Sequence, residues 1–205
     1  MRRLLVYAGP NGSGKSTLRE RLGEKTEVVI DPDQIARQIN PADPRAVDRE
    51  AGVEAIKLFR ETLRAGRSMS LESTLTGHTI LKRLREAKKV GFEVGLYYVA
   101  LGDPELNIAR VRARVLAGGH HVDPAVVRAR VSSSFENLPK AVAIADRSVI
   151  FDNSGHEHVP VLDINRGRIL QLAEMPPWLV ALRPRIEAAL SEKLGLAPSP
   201  QLPKT

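Results

Sequence analysis

The sequence predicts an α/β protein whose mostly parallel sheet is covered by helices on both faces. Three observations carry this. Short apolar, β-branched or aromatic runs alternate with longer helical patterns along the chain. Asp-Pro pairs recur at 43–44, 103–104 and 123–124, each a cap followed by proline at a first helical position. One glycine-rich segment, Gly9–Ser16, joins the first apolar run to the first helical one. Strand–helix alternation implies crossover connections, and crossovers impose parallel pairing.

The elements follow in order. Leu4–Ala8 reads as a buried strand and Ser16–Leu22 as a helix. Val28–Ile30 is a short strand that runs into Asp31-Pro32-Asp33. Asp43-Pro44 opens a helix carrying Val47, Ala51, Ile56, Phe59 and Leu63 near one face, stopping at Ala65-Gly66. Ser68–Ser73 is a strand, Ile80–Val90 a basic amphipathic helix, and Phe92–Leu101 a strong strand. The second pair opens a helix ending at Gly118-Gly119, and the third a helix expected to break near Pro139. Val149–Phe151 is a strand, and Val159–Ile164 and Arg168–Leu172 flank the turn Asn165-Arg166-Gly167 as a hairpin. A last helix runs from about Pro176 to Leu194-Gly195. The expectation is one domain over 1–195, with a proline-rich, disordered tail over 196–205.

Composition narrows the function. The chain has 205 residues and no cysteine, which removes disulfides, thiolate nucleophiles and cysteine zinc sites together. Its net charge is +7, which has three readings: solubility, a nucleic-acid footprint, or a local site for an anionic small molecule. Aromatic residues are only 4%, too few for the stacking platforms of many single-strand binders, so a nucleic-acid partner is disfavoured. No apolar run approaches the roughly 18 residues of a membrane span. Met1-Arg2-Arg3 and the short apolar run after it lead straight into the glycine loop rather than to a cleavage site. A cytoplasmic location is expected.

Gly9-Pro10-Asn11-Gly12-Ser13-Gly14-Lys15-Ser16 matches G-x-x-x-x-G-K-[ST], the phosphate-binding P-loop, between a strand and a helix as that motif requires. Glycines let backbone N–H groups turn inward around phosphate oxygens, and the following helix adds its positive end. Gly9, Asn11, Gly12, Ser13, Gly14 and Thr17 are expected to cradle ATP. Lys15 reaches its β- and γ-phosphates, and Ser16 offers a hydroxyl to Mg²⁺. No N-K-x-D guanine-reading motif occurs.

Open α/β sheets build their sites at the carboxyl ends of strands. Asp31 and Asp33 stand at such an end. Asp33 has two readings: base for an acceptor hydroxyl, or cap of the helix carrying Ile35 and Ile39. Glu72, at the end of another strand, either holds substrate hydroxyls or faces solvent. Arg110, Arg112 and Arg114, the turn Gly118-Gly119-His120-His121, and Arg128 and Arg130 form a basic helical hairpin. It reads as a lid near 110–130 that closes arginines over a transferring phosphoryl group, or as a solvated face. The helix with Lys82, Arg83, Arg85, Lys88 and Lys89 reads as an exposed face with Glu86 among its partners.

The ordered set of motifs resembles the zeta-toxin family of P-loop kinases, closest to its compact Gly-Gly-His branch. It comprises Gly-Pro-Asn-Gly-Ser-Gly-Lys-Ser-Thr at 9–17, Asp-Pro-Asp at 31–33 and Glu-Ser-Thr-Leu-Thr-Gly at 72–77. It continues with Pro-Glu-Leu-Asn-Ile-Ala-Arg-Val at 104–111, Arg-Val-x-x-Gly-Gly-His at 114–120, Asn-Leu-Pro at 137–139 and Ala-Asp-Arg…Asp-Asn-Ser-Gly at 145–155. The resemblance covers about residues 3–185. It implies a three-layer α/β/α kinase fold with about five parallel strands and a helical lid. It also implies transfer of the ATP γ-phosphoryl group to a hydroxyl of a small anionic acceptor, UDP-N-acetylglucosamine in characterised members. By position it assigns Asp33 as base, Lys15, Arg114 and Arg130 as catalytic cations, and Glu72, Thr74 and His120 to the acceptor. Asn153 is assigned to the nucleotide base. Val131 and Ser133 depart from the branch, which usually has tyrosine and a basic residue there. The family further implies an antitoxin-type partner, of which the sequence itself carries no sign. Two rival functions stand beside this one: a nucleoside or polynucleotide 5′-hydroxyl kinase, and a nucleotide-binding interaction module without transferase activity.

Overall fold

The computed structural model describes residues 1–116, 118–119 and 121–195. The tail over 196–205 and His120 lie outside the described residues. The chain begins with β1 (Arg3–Ala8), α1 (Lys15–Leu22), β2 (Val28–Ile30), α2 (Pro32–Ile39), a 3-10 turn (Pro44–Val47) and α3 (Asp48–Arg64). It continues with β3 (Met69–Ser73), α4 (His78–Lys89), β4 (Glu93–Ala100), α5 (Pro104–Leu116) and α6 (Pro124–Ile144). It closes with β5 (Arg147–Asp152), β6 (Val159–Asn165), β7 (Arg168–Gln171) and α7 (Pro177–Leu194).

The seven strands form one sheet in the order β2-β3-β1-β4-β5-β6-β7. β1 to β5 pair in parallel, and the β6–β7 hairpin extends the sheet antiparallel beyond β5. β1 is central, so its residues from Leu4 to Ala8 are buried on both faces. This explains why it reads as a continuous apolar run rather than an alternating one. One face carries the larger core, where Leu4, Val6, Leu71, Leu96 and Ile150 meet residues of α2, α3, α4, α6 and α7. The other packs Leu18 of α1 on Val99, Val149 and Phe151. Helices on both faces give the expected three layers.

A separate apolar seam holds α5 to α6: Ile108, Val111 and Val127, with Val122 beside them. The expected lid segment therefore has a small core of its own, distinct from the two on the sheet.

Two expectations about helices are corrected. α6 does not break at Pro139 but runs through it to Ile144. Asn137, Leu138, Pro139, Ala141 and Val142 are all buried there. Burial of this stretch outweighs the roughly 3 kcal/mol that an interior proline costs. The Asp43-Pro44 pair opens only the 3-10 turn, and Asp43 makes no side-chain cap. α3 begins after it, at Asp48.

Candidate active site

Because β1 to β5 are parallel, their carboxyl ends gather on one edge, and the segments after them build the site. Gly9–Gly14 leaves β1 and wraps into α1, whose first residue is Lys15. The loop is fixed from several sides. Gly9 N–H donates to Ser73 O at 3.1 Å. Asn107 Nδ2 of α5 donates to Asn11 O at 2.7 Å. Asn153 Nδ2, after β5, donates to Ser13 O at 2.8 Å, and the His158 ring bonds Gly14 O at 3.0 Å through Nε2. Gly14 has φ +97°, and a Cβ there would come within 2.5 Å of Asn153 Nδ2. Only glycine fits at that position. Ser13 is fully buried, whereas Ser16 and Thr17 are exposed at the start of α1.

Lys15 Nζ donates to Pro10 O at 2.9 Å. Burial pushes its pKa down to about 8, against the raising fields of Glu72 and Asp33; Arg114 lowers it further. A phosphate charge beside the ammonium would favour its charged form and oppose this lowering.

At the end of β2 the two acids separate in role. Asp31 is buried and caps α2, its Oδ1 accepting from the N–H of Asp33 at 3.0 Å and of Gln34 at 3.3 Å. The reading of Asp33 as that cap is therefore overturned. The N-cap stands immediately before Pro32, so Asp33 is already inside the first helical turn. Its side chain is left exposed and lines a cavity of about 280 Å³. Lys15, Ser16, Glu72, Thr74, Arg83, Arg114 and Arg130 share that cavity with it.

Glu72 is largely buried rather than solvent-facing. It accepts from Ser16 Oγ at 3.0 Å and pairs with Arg19 at 2.8 Å; the same guanidinium lies 3.6 Å from Asp31. Burial and the neighbouring Asp31 raise the pKa of Glu72, while Arg19 and Lys15 oppose the rise.

The arginines of the α5–α6 hairpin divide. Arg130 donates to Asn11 Oδ1 at 2.9 Å, and Arg114 lines clefts on both sides of Lys15. Arg110 donates to the carbonyls of Asn153 and Gly155 at 2.9 and 3.1 Å, which pins the loop after β5. Arg128 pairs with Glu105 in solvent, the bland reading of a basic face. The second cleft holds about 630 Å³ and is lined by Gly14, Thr17, Arg110, Asn153, His156 and His158, among others. The P-loop lysine and serine thus sit between two open clefts.

Sequence reasoning missed four contributors: Arg19, Arg83, Asn107 and His158. Arg83 carried a usable signal. It follows Ile80 by three positions and precedes Leu84, both buried, so it borders the apolar stripe of α4 rather than lying opposite it. The other three depend on tertiary neighbours that no local pattern announces.

Residues 4–138 match the family model described as AAA domain. A protein of Haemophilus influenzae described only as uncharacterised is 44% identical over 126 residues, spanning 62% of this chain and 90% of that protein. A dephospho-CoA kinase of Corynebacterium glutamicum is 29% identical over 175 residues, 72% of this chain and 88% of the enzyme. Among solved structures, the PezAT toxin–antitoxin system of Streptococcus pneumoniae aligns with a TM-score of 0.60 at 19% identity, covering 95% of this chain and 88% of that one. AvrRxo1-ORF1:-ORF2 with ATP aligns with a TM-score of 0.66 at 15% identity, covering 94% and 76%.

Proposed function

The chain belongs to the AAA domain family and has a zeta-toxin-like P-loop kinase fold, and on that footing we propose that it transfers the γ-phosphoryl group of ATP to a hydroxyl of a small anionic acceptor. The observation that carries this reading is the shared cavity of Asp33, Lys15, Ser16, Arg114 and Arg130. A carboxylate released from capping, and next to the phosphate lysine, is what a hydroxyl-activating base requires.

In the proposed reaction Asp33 takes the proton of the acceptor hydroxyl. The acceptor oxygen bonds the γ-phosphorus as the bond to the β–γ bridging oxygen breaks, and ADP leaves. Lys15 stays with the phosphates. Arg114 and Arg130, carried on α5 and α6, neutralise charge on the moving group. Glu72 and Thr74 orient the acceptor. His120 is proposed to join them from the turn between α5 and α6. Gly9, Asn11, Gly12, Ser13, Gly14 and Thr17 supply the phosphate cradle, and Asn153 borders the cleft proposed for the adenine.

Mg²⁺ fits this site. The Ser16 hydroxyl and the Glu72 carboxylate are adjacent oxygen donors of the kind that ion takes. Ser16 would hold it, and it would add positive charge beside the phosphates.

Two acceptor classes lead. The family resemblance points to a UDP-N-acetyl sugar, and the dephospho-CoA kinase relative to a nucleotide-like alcohol. The PezAT and AvrRxo1-ORF1:-ORF2 likenesses motivate a search for a protein partner encoded beside this chain. The direct experiment is incubation with γ-labelled ATP, Mg²⁺ and a panel of UDP-sugars, dephospho-CoA, nucleosides and oligonucleotides. Label in a UDP-sugar or dephospho-CoA supports the proposal. Label only in oligonucleotide ends would favour a polynucleotide kinase, and no label in any acceptor would contradict transferase activity.

A further inference from the structure

The acceptor side of the cavity contains a cation without a counter-ion. Arg83 projects from α4 and lines the same space as Asp33, Glu72 and Thr74. Its guanidinium lies 5.5 Å from the centroid of the Phe59 ring, and Phe59 is almost fully buried. Among the described residues no carboxylate stands within ion-pair distance of it and no hydrogen bond reaches it. Its nearest acidic influence is Glu86, which pairs instead with Lys82 at 4.0 Å, while Arg60 repels it. Burial accordingly lowers the pKa of Arg83, although it stays charged.

A half-buried guanidinium without an anionic or hydrogen-bonding partner is costly, and closing a ligand over it raises the cost unless the ligand brings negative charge. The other cations of the cavity have their own work. Lys15 belongs to the P-loop and Arg130 holds Asn11. Arg114 borders the nucleotide cleft as well. Arg83 lines the acceptor cavity but not that second cleft.

We propose that Arg83 binds an anionic oxygen group of the acceptor, a phosphate or a carboxylate, while Asp33 and Glu72 face its hydroxyl. The acceptor is then bifunctional, and a neutral sugar or polyol is a poor substrate because it leaves Arg83 covered and unpaired. This assignment rests on the reading of the cavity as the acceptor side of a kinase site.

The test uses protein saturated with Mg²⁺ and a non-hydrolysable ATP analogue, so that the P-loop is occupied. Inorganic pyrophosphate and malonate are titrated separately by calorimetry into wild type, Arg83→Met, Arg83→Lys and Lys82→Met. Arg83→Met keeps an unbranched aliphatic side chain and removes the charge. It is expected to weaken one or both anions at least about tenfold, the scale of a lost charge-assisted contact. Arg83→Lys, which keeps a charge should the Met variant not fold, is expected to fall between, and Lys82→Met to match wild type. The anion that depends on Arg83 identifies the group. Binding of neither anion to wild type, or equal binding by Arg83→Met and wild type, overturns the assignment. Arg83-dependent anion binding without label transfer to any acceptor would count against the transferase reading alone. Transfer with anion binding indifferent to Arg83 would count against this inference alone.

Discussion

The carboxylate of Asp31 accepts the backbone N–H of Asp33, so the first acid of the Asp-Pro-Asp turn caps the helix from which the second projects. One acid is buried and structural, and the other is exposed at the cavity. Asp31→Ala is expected to lower stability by about 1–2 kcal/mol through loss of the cap, with activity falling as the turn loosens. Asp33→Asn is expected to change stability by less than about 0.5 kcal/mol. Thermal melts of the two variants, run side by side, check the division of labour; equal losses would contradict it.

Lys15 gives a pH signature. Partial burial at the floor of the two clefts pushes its pKa down to about 8 in the free protein. Phosphate oxygens beside it favour the charged form, so ATP binding should pull a proton onto it. The folded, free pKa lies below the ordinary value, so uptake is absent well below pH 8 and grows as pH rises through it. It should reach roughly half a proton at pH 8, and ATP affinity should weaken above that pH. Calorimetry in buffers of different ionisation heat measures the uptake. Lys15→Met should abolish it; buffer-independent heats in the wild type would contradict the account.

Asn153 holds the P-loop from the far side, through its bond to Ser13 O. Asn153→Ala leaves that buried carbonyl without its partner, at a cost of about 1–3 kcal/mol. ATP affinity should fall by roughly tenfold or more on that scale. The KM for acceptor should barely move, because Asn153 borders the cleft proposed for the nucleotide and not the cavity that Asp33 and Arg83 share. Steady-state kinetics with both substrates varied separate the two effects.

Arg130 bridges the α5–α6 hairpin to the P-loop through Asn11. Arg130→Ala is expected to lower kcat by at least about a hundredfold if that cation meets charge in the transition state. Arg128→Ala, on the same helix but paired with Glu105 in solvent, should leave kcat within about twofold. Equal effects of the two substitutions would identify the hairpin as a charged surface only.

Much of this was legible in the sequence for physical reasons. The P-loop announces itself because glycine spacing, lysine and hydroxyl are all dictated by phosphate geometry. The central strand β1 is legible because burial on both faces forces a continuous apolar run. Pro139 misled because local propensity cannot report how much of α6 is buried around it. The Asp43-Pro44 pair misled because a cap motif does not say how many residues will follow as α-helix. Asp33 stayed ambiguous because capping and catalysis ask for the same residue type at nearly the same position. Arg83 was hidden on a helix rich in other cations, of which Lys82 pairs with Glu86 and Lys88 with Asp146.

The central claim is that Asp33 activates an acceptor hydroxyl for attack on ATP. Single-turnover transfer of the labelled γ-phosphoryl group from Mg²⁺-ATP to the best acceptor, in wild type and Asp33→Asn, tests it most directly. The account predicts that the variant binds ATP within about threefold of wild type yet loses at least about a thousandfold in transfer rate, the scale of a base held against its acceptor. Transfer by Asp33→Asn at the wild-type rate would contradict it.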